Sequence, residues 1–507
     1  MNRPALLRGR APVIAARVFI GIGVGLAVFL APALAMGDGA FPDAQGLLTP
    51  AALPDEYVLA TNFGLITSLD GAQTWTWSCE QDGNSFGFLY QLAAPPSNRL
   101  FALSLGRIVY SDDLGCTWRV AGGALAGSTL QDFFVSTTDA NRVIAIASAS
   151  GAASYQVFAS NDGGATFGDA IYTAVAGDTL TGVEIARAAP ATVYLTLVSG
   201  SARTPKLGRS TDGGAHFTFQ DLGATLPGIT SLRIVAVDPQ DANKVLLRAG
   251  GAVGGMNGEE LVVTDDGGAT VHTPVTLPGG LLTAFARTAD GTELLTGVSG
   301  VDPVAYRSTD GAGTFQPLPT PPNVRGLAAR GDSFYVVADN FNDGYAIGVS
   351  KDHGATWSAL LRYDQVQAIA ACVKTQCLDN CGLQSDTGLW AADVCDATPN
   401  PLPVDAGAGG TGGGMVTGTG GGGGAADAAA PDAAGDQGTA GGGGGGGCRC
   451  ATAPETTSRR QLGAAVLAWA TALTVTTRRR RGRRDARVMT RAPGHGANPP
   501  ERVARAR

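Results

Sequence analysis

The stretch Ser160-Asn161-Asp162-Gly163-Gly164-Ala165-Thr166-Phe167 limits what this 507-residue chain can fold into, because six close copies of it recur, making seven in all. The other copies begin at Ser68, Ser111, Ser210, Thr264, Ser308 and Ser350. Their third residues are Asp70, Asp113, Asp162, Asp212, Asp266, Asp310 and Asp352, spaced 43, 49, 50, 54, 44 and 42 apart. A period in this range marks one supersecondary unit repeated down the chain.

Each copy has turn chemistry. Glycine takes positive φ without steric cost, and a short polar side chain before it bonds nearby backbone N–H groups. The closing Trp or Phe can fold over the turn and bury against a sheet, fixing the hairpin. Seven aspartates in series also invite a catalytic or calcium-binding reading. A carboxylate capping its own turn accounts for every position without a ligand.

The pattern resembles the Asp-box, or BNR, repeat S/T-x-D-x-G-x-T-W/F of sialidases, sortilin, xyloglucanases and photosystem II assembly factors. The resemblance covers about Tyr57 to Cys372. Ala72 and Ala312 replace the fifth-position glycine, His216 replaces threonine, and Val271 replaces the aromatic. In those families the box joins the third and fourth strands of a propeller blade. The resemblance therefore implies an all-β fold, a single seven-bladed β-propeller over residues 57–371.

The runs around each box agree with that. In the fifth unit Ser231–Val237, Lys244–Ala249 and Glu260–Thr264 precede or enter the box, and a fourth run follows Ala269. The third unit offers Arg142–Ala147 and Tyr155–Ser160, the last Ser333–Ala338 and Tyr345–Ser350. β-branched and aromatic residues fill these runs, Gly, Pro, Asn and Asp bound them, and helical periodicity is absent. A sandwich also uses many short strands but does not explain a turn signature at this period. The first unit shows only Tyr57–Thr61 and Gly64–Ser68 before its box. Gln365–Cys372 is β-rich and is expected to supply the missing strand, closing the ring and tying the chain ends together.

Outside the repeats the chain carries an address. Arg3, Arg8, Arg10 and Arg17, the apolar run Val18–Leu30 and Ala33-Leu34-Ala35 describe a secretory signal peptide, residues 1–35, cleaved after Ala35. The run is short for a membrane span; an uncleaved anchor is the alternative. Residues 36–56 read as a leader of the mature chain. Residues 36–450 hold 19 Lys and Arg against 40 Asp and Glu, a net of −21. Such a body repels nucleic acid phosphates and anionic lipids, so nucleic acid is not an expected partner.

Cys79 lies just after the first box and Cys116 inside the second, where neighbouring blades could bring the two within disulfide reach. Cys372, Cys377, Cys381 and Cys395 form a second group, a disulfide module over 372–395. In an exported chain an even set of close cysteines favours disulfides. A zinc site normally shows C-x2-C pairs, and three pairings of the four are open.

Residues 396–447 are rich in Gly, Ala and Pro and too poor in apolar surface to offset chain entropy, so a disordered tether is expected. No GxxxxGK[ST] pattern supports a phosphate loop. Cys448-Arg449-Cys450, the apolar run Leu462–Val475 and the arginines of 478–484 follow, with a basic extension over 485–507. An apolar helix abutting a basic block orients with the block on the cytoplasmic side. The order glycine linker, cysteine, apolar helix, arginine block resembles the MYXO-CTERM sorting tag of myxobacterial surface proteins. That resemblance implies processing and lipid attachment at Cys448 or Cys450, with export and sorting machinery and the membrane as partners. A plain single-pass transmembrane helix is the alternative.

Chemistry is harder to find. The Arg-Ile-Pro signature of sialidases is missing, since Leu232-Arg233-Ile234-Val235 lacks the proline and lies mid-chain. Glu184, Glu259, Glu260 and Glu293 are scattered over different units, and only geometry could place two carboxylates at glycosidase separation. Xyloglucanases cleave between two propellers, and this chain has one. His216, His272 and His353 lie at or beside box turns. No Ser/His/Asp or metal-ligand spacing emerges, so no catalytic, metal or cofactor residue is assigned. Asp339-Asn340-Phe341-Asn342-Asp343-Gly344 resembles a calcium loop, but Phe341 occupies a ligand position and a hairpin turn accounts for it. The expectation is a cell-surface binding module for a protein, peptide or glycan. A sialidase- or xyloglucanase-type glycosidase and a structural envelope component are the alternatives.

Overall fold

A computed structural model describes residues 42–50, 52–80, 89–149, 154–319 and 321–399. The expected signal peptide with Ala35, almost all of the tether, and the tail with Cys448 and Cys450 lie outside the described residues. Among those described, no helix is long and apolar enough to cross a membrane.

Seven mainly antiparallel sheets, one per box, are the propeller blades, and a two-stranded parallel sheet of Gly122–Gly123 with Thr166–Phe167 joins blade 2 to the box of blade 3. Blade 5 is the longest example: Ile229–Val237, Val245–Val253, Met256–Thr264 and His272–Pro278 pair in sequence order, with the box between the last two. The strands are those read from sequence, with some ends moved by one to four residues. Blades begin at Ala44, Gln91, Ser128, Asp178, Ile229, Gly280 and Gly326. First strands of blades 2 and 3, 3 and 4, 4 and 5, 6 and 7, and 7 and 1 are neighbours, so they are the innermost strands of a closed ring.

Seven hydrophobic clusters fill the seven gaps between blades. Between blades 5 and 6, for instance, Leu246, Leu261 and Val263 meet Leu282, Phe285 and Leu295. Alternate residues of each strand face opposite neighbours, so a strand buried on both faces reads as a continuous apolar run such as Val-Tyr-Leu-Thr-Leu-Val. Fully burying one such side chain stabilises the ring by about 1.5–3 kcal/mol.

Ring closure differs from the sequence expectation in two respects. Ala44–Leu48, within the stretch read as a leader, pairs with Tyr57–Thr61 and is the inner strand of blade 1. The C-terminal segment does join blade 1, but as Ala368–Ile369, parallel to Thr76–Cys79 on the outer edge. Gln45 and Gly46 break the β-rich pattern, which hid the strand. Blade 1 thus has five strands, the last covering an otherwise open edge.

Helices Lys374–Asp386 and Asp393–Asp396 follow and pack on that edge. Trp390 sits 5.1 Å from Trp77 and 6.2 Å from Phe63, ring centre to ring centre. Cys79 bonds Cys377, Cys116 bonds Cys372, and Cys381 bonds Cys395. Cys79 and Cys116 therefore do not bridge each other, and only one pair is internal to the second group. The disulfides fasten the helical segment to blades 1 and 2.

Candidate functional site

The seven box aspartates do not converge; each is bound to its own turn. In every box the third-position carboxylate accepts the seventh residue's amide at 2.8–3.0 Å. Its other oxygen accepts the threonine hydroxyl at 2.5–2.7 Å in six boxes. In the fourth, His216 Nδ1 takes that place at 2.7 Å. The buried first-position hydroxyl bonds the same carboxylate and accepts the fifth residue's amide, as at Ser160, Asp162 and Gly164. These bonds hold Asp266, Asp310 and Asp352 at about 2, with the amides of Thr270 and Thr314 leading at the first two and the Thr356 hydroxyl at the third.

The fourth and fifth residues of each box share positive φ, including Ala72 at 70° and Ala312 at 63°. The fifth is also squeezed. A β-carbon at Gly164 would lie 2.5 Å from Phe101 of blade 2, and one at Gly268 would lie 2.9 Å from Leu207 of blade 4. The box therefore seats each blade against its predecessor. Arg99 and Arg142 reinforce this by donating to Gly163 O and Gly213 O of the next blade's box.

Three of the four carboxylates singled out from sequence serve the frame too. Glu184 accepts Val237 N of blade 5, and Glu259 accepts Leu282 N of blade 6 while pairing with Arg248. Glu293 is fully buried against Arg287, which also reaches Asp238. Glu260 is half-buried, and burial raises its carboxyl. Sequence reasoning missed two equivalents, Gln91, which bonds Phe133 O and Val135 N, and Asp132, which accepts Val183 N. Burial pushes Asp132 up to about 6, with Val183 N and Arg233 opposing. Arg233 donates to Thr181 O. His353 lies 3.7 Å from Asp290, and His272 is exposed. Among the described residues no group of three His, Cys, Asp or Glu side chains could hold a metal ion.

Because consecutive strands are antiparallel, the boxes and the turns between first and second strands share one face of the ring. The turns between second and third strands, with the connections between blades, form the other. Nine large apolar side chains are exposed among the described residues, and six belong to this second face: Leu105, Val175, Met256, Leu281, Val301 and Phe341. Val301 is 90% exposed.

On the same face, where blade 7 meets blade 1, charged and aromatic groups do gather. Arg325 reaches Asp43 at 3.0 Å and Asp339 at 3.7 Å. Asp339 opens the loop read as a hairpin turn, which joins Ser333–Val337 to Ile347–Ser350; its Oδ1 accepts both Phe341 N and Asn342 N at 3.0 Å. Asp343 accepts Asn323 N and Asp339 N. Tyr363 stacks edge-on against Phe63 and Phe341, and its hydroxyl is buried without a hydrogen-bond partner. Burial pushes that phenol well up, and Asp43 and Asp339 push it further. Asp43 is raised by burial and by Asp339, against the pull of Arg325.

No protein-family model matches the chain, and no curated protein matches it. Solved structures do. YCF48 bound to D1 peptide is 16% identical over 46% of this chain and 68% of that one, with a TM-score of 0.31. YCF48 from Cyanidioschyzon merolae is 13% identical over 58% and 92%, with a TM-score of 0.40. The GH74 enzyme of Niastella koreensis is 13% identical over 62% and 65%, with a TM-score of 0.36, so the chain spans just under two thirds of that enzyme's length. No residue role is carried over from them.

Proposed function

We propose that the chain is an exported, surface-tethered β-propeller that binds a protein, peptide or glycan without chemical turnover, using the face opposite the Asp-boxes. One observation carries this reading: six of the nine exposed large apolar side chains stand on that face. Exposed apolar groups concentrated on one face of a ring, rather than divided between its two faces, favour that face as the interaction surface. Of the four carboxylates weighed for a glycosidase, Glu184, Glu259 and Glu293 are instead bonded between or within blades, which leaves Glu260.

The address belongs to the same proposal. Ala35 marks signal cleavage, the Gly-rich stretch tethers the ring, and Cys448 or Cys450 is the processing and lipid-attachment site of a MYXO-CTERM-like tail. Mass spectrometry of the mature protein tests this: a chain starting at Met36 and ending near Cys450 with an added lipid is expected. A retained Leu462–Val475 segment argues instead for a transmembrane span.

For the ring, the test is binding to peptide and glycan arrays beside hydrolysis assays on sialosides and β-glucans. Saturable binding that Met256→Asp with Val301→Asp abolishes is expected. Turnover of any glycan overturns the reading, as does binding that survives those substitutions.

A further inference from the structure

The junction of blades 7 and 1 stands out from the rest of the face. Its local charges are Asp43, Asp339 and Asp343 against Arg325, with Arg362 and Asp364 paired to each other on either side of Tyr363. Asp43 is raised chiefly by burial, with Arg325 pulling it down and Asp339 standing beside it as a like charge, so a second cation would further favour its ionised form. The fully buried Tyr363 hydroxyl, unpartnered within the field of Asp43 and Asp339, shows independently that the polar groups here are incompletely matched. Phe341 is 47% exposed at the rim and stacks on Tyr363. Carboxylates beside an exposed aromatic ring are what an ammonium or guanidinium group on an apolar stem requires, because charge, ring face and stem are all satisfied together.

We propose that this junction binds a lysine or arginine side chain of a peptide segment whose neighbouring residues are apolar. The proposal rests on the binding-face reading above and names its partner class. The cation sits between Asp43 and Asp339 against Phe341, sharing the carboxylates with Arg325. Its apolar neighbours run along the face toward the other exposed tips. A body of net charge −21 over residues 36–450 steers such a segment to the ring.

Fluorescence anisotropy on the mature chain tests this with a labelled ten-residue peptide of alternating lysine and leucine, in about 0.15 M salt, where the screening length is about 8 Å. Charge-matched variants separate a local site from the general field. Asp43→Asn weakens binding about tenfold, whereas Asp352→Asn on the box face changes it less than twofold. Arg325→Gln strengthens binding about threefold, whereas Lys351→Gln changes it less than twofold. Phe341→Ala weakens it about fivefold. Circular dichroism melts of each variant identify any that fails to fold. If the two members of each pair behave alike, or a glutamine-leucine peptide binds as well, the cation site is overturned. If no lysine peptide binds but another ligand is lost on Met256→Asp with Val301→Asp, the cation site falls and the face reading stands. If no ligand responds to those tips, both fall.

Discussion

The two faces of the ring are built on opposite principles. On the box face one eight-residue pattern occurs seven times, and each box carboxylate is satisfied within its own turn. On the opposite face no two turns share a sequence, apolar tips face solvent, and a tyrosine hydroxyl is left unpartnered. Repetition in this molecule marks scaffold, because every blade poses the same closure problem. Irregularity marks the surface free to differ.

That contrast breaks if the box face is the less important for stability. Asp162→Ala combined with Asp310→Ala, in well-separated blades, should lower the unfolding free energy by about 2–4 kcal/mol in urea titrations. Each change strips one amide and two hydroxyls of their acceptor. The loop-face pair Met256→Asp with Val301→Asp should stay within about 0.5 kcal/mol, as exposed sites do. Equal losses would erase the distinction.

Acid sharpens it. The box carboxylates titrate lower folded than unfolded, so their contribution is present above about pH 4 and is lost as pH falls toward about 2. Thermal melts should therefore drop across that window. Glu56, on the box side of the junction between blades 7 and 1, has the opposite sign. Burial, only partly countered by Arg330, lifts it to about 7, and its Oε1 is buried without a hydrogen-bond partner. A carboxyl raised in the fold contributes most below its unfolded value near 4.5 and loses that contribution as pH rises to about 7. Glu56→Gln should flatten the melting temperature between about pH 4.5 and 7, and an unchanged slope would assign it elsewhere. The smallest effect is at Ala72, whose φ of 70° suits glycine: Ala72→Gly should stabilise by about 0.5 kcal/mol, strain relief slightly outweighing the added freedom of the unfolded chain.

Legibility followed the same division. Turn chemistry is local, so all seven boxes and the strands of blades 3, 5 and 7 could be read from residues a few positions apart. Ala44–Leu48 escaped because its β-rich pattern is interrupted by Gln45 and Gly46. Gln91 and Asp132 escaped because a polar residue in an inner strand reads as a solvated position until the next blade's amide is placed beside it. Cysteine pairing joins residues 298 and 256 positions apart, which spacing within a cluster cannot reveal. The candidate cation site draws Asp43, Arg325, Asp339 and Tyr363 from both ends of the ring, and only the Asp339–Gly344 turn left a local trace.

The pairing of Cys79 with Cys377 and of Cys116 with Cys372 makes most of the ring a covalent circle. A protease that cuts once in any exposed turn between Cys79 and Cys377 opens that circle without releasing a fragment. The nicked protein would run as one species on a gel until a reductant is added, and six of the seven blades would stay gathered around blade 1 in the meantime.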